Sequence, residues 1–115
     1  MTVREFVEEL NLEVVAGPAL DKEIEGAYSG DIPHDVMERA ETNDIWLTVR
    51  NDLVAVGVAL LANISAVVVV EGLNYEEIAV KKACENDVNL LKYSGSKFEL
   101  SAKFIKKYYM DKNKE

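Results

Sequence analysis

The chain is short of the residues from which most catalytic and metal sites are built. It contains one cysteine, Cys84, and one histidine, His34, in 115 residues. A single thiol excludes an internal disulfide and suits a reducing, cytoplasmic compartment. A lone histidine without an HxxxH or CxxC partner offers no zinc-type ligand set, so no metal site is expected. His34 reads as an exposed residue in the first turn of a helix rather than a general base. Cys84 has no histidine nearby in sequence to activate it and reads as a buried, inert thiol packed with Ile78 and Ala79 or against a sheet. A Gly-x-x-x-x-Gly-Lys-Ser/Thr phosphate loop is also missing. No catalytic constellation and no cofactor is implied.

Basic charge is scarce too. The 21 acids against 13 bases leave a net charge of −8, whereas a nucleic-acid binder needs a basic face to displace phosphate counterions. Lys103, Lys106, Lys107, Lys112 and Lys114 cluster near the end among Phe104, Tyr108 and Tyr109, and read as a solvated helix end that complements the helix dipole. No nucleic-acid partner is expected. The longest apolar run, "LVAVGVALLA" at 53–62, falls short of the roughly 20 residues that span a bilayer, so no membrane association is expected. The opening "MTVREFVEEL" has acids and no basic n-region, and reads as an amphipathic helix rather than a signal peptide.

What is present is a clear alternation of elements. Thr2 and Glu5 form a capping-box pattern ahead of Val3, Phe6, Val7 and Leu10 at helical spacing. "EVVA" at 13–16 is a short strand stopped by Gly17-Pro18, and "EIEGAYS" at 23–29 is a second strand, less clearly marked. Asp31 or a neighbour starts a helix with Pro33 in its first turn and Val36, Met37 and Ala40 facing inward. "DIWLTV" at 44–49 is a strand with Trp46 in the core. Asn51 is the expected cap of "DLVAVGVALLAN", apolar on nearly every side and therefore expected to be buried. The four consecutive valines of "SAVVVVEG" at 65–72 mark a strand covered on both faces, at the centre of a parallel sheet. Asn74 and Glu77 repeat the capping-box logic before "YEEIAVKKACEN". "VNLLKY" at 88–93 is the last strand, and Ser94-Gly95-Ser96 opens a final helix carrying Phe98, Leu100, Ala102, Ile105 and Tyr108. The acids Asp31, Asp35, Glu38, Glu41 and Asp44 read as a solvated helix face.

Strand and helix alternate from residue 44 onward with short connections, the pattern of right-handed crossovers. The expected fold is a three-layer α/β/α sandwich with a mostly parallel sheet of about five strands. One domain is expected over residues 1–110, with 111–115 as a frayed tail.

In that order, "VVAG" at 14–17, "GAYSGDIPHDVM" at 26–37, "VAVGVALLANISAVVVVEG" at 54–72 and the final strand-Ser-helix unit give a chain that resembles the DRTGG-domain family. That family looks related in fold to the N-terminal domain of HPr kinase. Arg50 stands for the arginine of the family signature and Gly72 for its second glycine, while Val49 and Glu71 occupy the places of its aspartate and first glycine. The resemblance implies a non-catalytic regulatory or accessory module that often mediates dimerisation. Kinase chemistry belongs to a separate phosphate-binding domain whose loop this sequence lacks.

In an open parallel sheet, the loops that follow the strands leave at one rim, and ligands bind where strand order reverses. That rim should gather Gly17, Ser29, Gly30, Asp31, Thr48, Arg50, Asn51, Glu71, Gly72, Asn74, Ser94, Gly95 and Ser96. The loops at Asn51 and Ser94–Ser96 lead into helix N-termini whose free N–H groups suit an anion, and Arg50 carries a fork for carboxylate or phosphate. The candidate ligand-binding set is Ser29, Gly30, Asp31, Thr48, Arg50, Asn51, Gly72, Ser94 and Ser96. The leading functional expectation is a regulatory or interaction domain that forms a homodimer or engages a protein partner. The alternative is a sensor of a small anionic metabolite or nucleotide at this rim.

Overall fold

A computed structural model describes residues 1–110. Its elements are α1 (Val3–Leu10), β1 (Glu13–Ala16), β2 (Gly26–Ser29), α2 (Pro33–Arg39), β3 (Asp44–Thr48), α3 (Leu53–Leu61), β4 (Ala66–Val69), α4 (Glu77–Glu85), β5 (Leu90–Lys92) and α5 (Lys97–Ile105), which continues through a π-helical turn at Lys106–Met110. The frayed tail expected at 111–115 lies outside the described residues.

The five strands form one sheet in the order β1-β5-β4-β3-β2. The pairs β2–β3, β3–β4 and β4–β5 are parallel, whereas β1 runs antiparallel to β5 with an irregularity between Val14 and Ala16. The valine strand β4 is therefore central, and every residue in it is buried, as continuous apolarity requires of a strand covered on both faces. Side chains alternate between two cores. Trp46, Val67, Val69 and Leu90 pack with Val36 of α2, with Ala55, Val56, Val58 and Ala59 of α3, and with Ala79 and Ala83 of α4. Ile45, Leu47, Val68 and Leu91 pack with Val3, Phe6 and Leu10 of α1 and with Leu100 and Phe104 of α5. The architecture is the expected three-layer α/β/α sandwich.

Two expectations about its rim are corrected. The parallel strands follow one another across the sheet in chain order, β2 to β3 to β4 to β5, so no reversal among them opens a crevice. Because β1 is antiparallel, Gly17 leaves at the opposite end of the sheet. There the Asn89 amide holds Ala19 through both its N–H (3.0 Å) and its carbonyl (2.8 Å).

Helix boundaries follow local chemistry, with further corrections. The Thr2–Glu5 capping box of α1 is present. Helix α3 is capped by Asp52, whose carboxylate accepts from Ala55 N–H, rather than by Asn51. An anionic carboxylate at a helix start satisfies the dipole as well as a free N–H. The Asn74–Glu77 box does not form; α4 begins after Glu76 without a side-chain cap. The start of α2 expected at Asp31 or a neighbour falls on the neighbour Ile32, without a side-chain cap, and Pro33 occupies the first turn as expected. Met37, expected to face inward, is 44% exposed, and Phe98 and Ile105 are exposed by 86 and 50%; Val36 and Leu100 fill the core as expected, joined by Phe104. Cys84 is exposed, and its neighbour Ala83 takes the buried position on α4. Nor is α3 buried all round: Leu53, Val54, Leu60 and Leu61 stay exposed.

Candidate functional site

The carboxyl rim of the parallel strands gathers most of the residues that sequence reasoning placed there, and Asp31 is its hub. Directly after β2, Asp31 reaches across to the end of β3. Its Oδ1 accepts from the Thr48 hydroxyl at 2.9 Å and from Val49 N–H at 2.9 Å. Its Oδ2 meets Lys97 Nζ, in the first turn of α5, at 2.6 Å. Burial works to raise the Asp31 pKa, but the Lys97 ammonium and the Val49 and Thr48 donors outweigh it and hold the carboxyl below its usual range. Thr48 is fully buried and its Oγ also accepts from Arg50 N–H at 3.1 Å. One carboxylate thus joins the ends of two strands to the start of α5.

The neighbouring loops are tied in the same manner. Arg50 Nε pairs with Asp52 at 3.2 Å, so the guanidinium and the α3 cap form one unit. Asn51 donates through Nδ2 to Asn74 O at 2.7 Å, and its own carbonyl accepts from Glu76 N–H at 3.0 Å. Gly72 has a left-handed φ of +68, directly after Glu71 at φ 62. Those two N–H groups bond to Tyr93 O and Gly95 O, and the double left-handed turn clamps the end of β4 onto the end of β5. Ser96 accepts from Glu99 N–H at 3.1 Å and caps α5.

Gly30 is held between strands: its N–H donates to Leu47 O at 3.1 Å and its carbonyl accepts from Trp46 Nε1 at 2.7 Å. Ser94 is exposed on the β5 loop. Ser29, the last residue of β2, faces the α5 side of the sheet. It lies with Ala27, Leu47, Phe104 and Ile105 along a groove of about 240 Å³ between α5 and the sheet.

Gly95 sits beneath a contact that a larger residue would break. Tyr93 donates its hydroxyl to Glu99 at 2.6 Å, and a Cβ on Gly95 would enter that Glu99 carboxylate and lie 2.7 Å from the Tyr93 ring.

Sequence reasoning missed Lys97, Asp52 and Tyr75. Asp52 was legible as a rival cap to Asn51, since the two are adjacent and equally suited. Lys97 and Tyr75 carried no such signal. Tyr75, in the loop before α4, sends its hydroxyl into the sheet between β4 and β5, donating to Leu91 O at 2.8 Å and accepting from Val69 N–H at 3.1 Å. Burial pushes that hydroxyl far above the ordinary tyrosine range, so it stays neutral and able to donate.

The expected acidic helix face also divides. Asp44 is buried, with a carboxyl that accepts from Glu41 N–H at 2.9 Å and that burial pushes upward in pKa. Glu38 and Glu41 remain exposed, and Asp35 is half-buried. His34 is exposed and pairs with Glu38 at 3.1 Å. Among the described residues, no group of three or more His, Cys, Asp or Glu could hold a metal ion, and no helix is long and apolar enough to cross a membrane.

No family model and no curated protein matches the sequence. Among solved structures, the chain is similar to the regulatory region of a Clostridium perfringens pyrophosphatase, comprising CBS and DRTGG domains and complexed with its activator, diadenosine tetraphosphate. The similarity has a TM-score of 0.72 at 12% identity and covers 88% of this chain and 44% of that one. The chain therefore spans less than half the length of the region it matches. At that identity the likeness establishes a shared fold.

Proposed function

We propose that this chain is a non-catalytic regulatory or interaction domain that acts as a homodimer. The observation that carries the reading is the use made of the polar groups at the rim. Asp31, Thr48, Arg50, Asn51, Asp52 and Ser96 bind one another or the backbone of adjacent loops. Groups so engaged brace a scaffold, whereas a catalytic site needs a nucleophile or base aimed at open space. The fold shared with a regulatory region agrees with this reading. Sedimentation or light scattering at micromolar concentration tests it: twice the 12.8 kDa chain mass is expected, and a mass of one chain overturns it.

The activator in the matched structure favours a second reading, in which a small anionic metabolite or nucleotide binds at the rim. Arg50 and Lys97 would receive it, and it would have to displace the Asp52 and Asp31 carboxylates that now hold those cations. A thermal shift with diadenosine tetraphosphate or another phosphorylated compound, lost in Arg50→Ala, supports this reading. No shift from any of them removes it.

A further inference from the structure

We infer that two copies of this chain meet through the outer face of α3, each α3 packed antiparallel against the other about a two-fold axis at Gly57. The inference rests on the homodimer reading and names its surface.

Helix α3 lies in the outer layer, yet no residue from Leu53 to Ala62 carries a polar side chain. Leu53, Val54, Leu60 and Leu61 are exposed by 41, 45, 51 and 75%. An outer-layer helix ordinarily turns polar residues to water, and one apolar on all sides belongs in an interior. The arrangement is also symmetric along the helix. From either end it reads as two exposed residues, two buried ones, the exposed Gly57, two buried and two exposed. That order follows from the helical period about an open face centred on Gly57, and a face so centred is compatible with a two-fold axis through Gly57. An antiparallel partner crossing at Gly57 sets Leu53 and Val54 against the partner's Leu60 and Leu61, and the reverse.

Gly57 supplies the second argument. A Cβ built there meets nothing within 4 Å, so the fold of one chain does not demand a glycine. Glycine in mid-helix is otherwise a destabilising choice, and its accepted use is the close approach of another backbone. Met37 on α2 and Ile78 on α4, 44 and 52% exposed, extend apolar surface on the flanking helices, which also carry the exposed His34–Glu38 and Lys82–Glu85 pairs. An apolar centre with a charged surround matches the anatomy of an interface. A stable dimer takes about 800 Å² from each partner, a modest share of the 6280 Å² accessible surface of the chain.

The test uses single-cysteine variants in a Cys84→Ser background, because Cys84 is exposed. A residue on the two-fold axis faces its own copy, within the Cα separation of under about 7 Å that a disulfide needs. Gly57→Cys is therefore expected to oxidise to a covalent dimer, while Ile105→Cys, in the groove on the opposite layer, stays uncrosslinked. In the unmodified background, Leu61→Glu is expected to shift the sedimenting mass from twice to once the 12.8 kDa chain. A dimeric protein that does not crosslink through Gly57→Cys, that crosslinks through Ile105→Cys instead, or that stays dimeric as Leu61→Glu overturns this surface and leaves the homodimer reading standing. A parent chain that sediments as a monomer overturns both.

Discussion

Replacing Asp31 by alanine removes one acceptor from three donors at once. Of these, the Thr48 hydroxyl and Val49 N–H lie at the end of β3, with Thr48 fully buried. Hydrogen bonds to a charged group contribute about 1.5–3 kcal/mol each. The low end applies, because the Asp31 side chain is 40% exposed; two such bonds come to about 3 kcal/mol. The Lys97 link adds little, being a partly exposed ion pair of the kind worth about 0–1 kcal/mol. The reasoning therefore orders the variants: Asp31→Ala loses about 3 kcal/mol, and Lys97→Met at most about 1 kcal/mol. For a chain of this size, each kcal/mol moves Tm by roughly 4 °C, so urea unfolding and calorimetry both resolve the difference.

Acid titration adds a second readout with a definite sign. The folded pKa of Asp31 is below its unfolded value, so its contribution is full above about pH 4 and is lost as pH falls through the folded pKa. Asp44 runs the other way. Burial holds its pKa above the unfolded value, so its ionised form opposes folding at neutral pH, and that opposition is relieved as pH falls through the raised pKa. The stability gap between the parent and Asp31→Asn should therefore narrow below about pH 4, while Asp44 contributes equally to both proteins. Asp31→Ala within 1 kcal/mol of the parent, or Lys97→Met as damaging as Asp31→Ala, would refute the assignment of Asp31 as the brace of the rim.

Two further outcomes follow from buried contacts. Tyr75→Phe leaves Val69 N–H and Leu91 C=O without their hydroxyl partner between β4 and β5, and should lose about 1–3 kcal/mol in urea unfolding; an unchanged midpoint would show that the two strands close directly on each other. Gly95→Ala drives a methyl into the Tyr93–Glu99 contact and should cost about 1–3 kcal/mol, with Ser94→Ala on the adjacent exposed position as the neutral comparison.

The layer order and the central place of β4 were legible because they rest on periodicity. A run of valines without alternation can be satisfied only between two apolar layers, and a strand–helix alternation with short connections leaves few topologies. Polar assignments were less legible. Asn51 and Asp52 are chemically equivalent caps in the sequence, and only the helix start at Leu53 chose Asp52. The start of α2 was legible only as Asp31 or a neighbour; the parallel pairing of Ser29 with Leu47 brought the Asp31 side chain to Thr48 and Val49 and left the helix start to Ile32.

By itself, then, the amino-acid order determined the α/β alternation and the inner strand, because each depends on residues close together in the chain. Tertiary structure alone decided that β1 runs antiparallel, that strand order does not reverse, that Tyr75 enters the sheet and that one side of α3 faces outward. Each of those depends on which distant segments lie side by side. A helix apolar all round has no stripe to say which side the sheet will cover, so α3 had to be packed before its open face could be known.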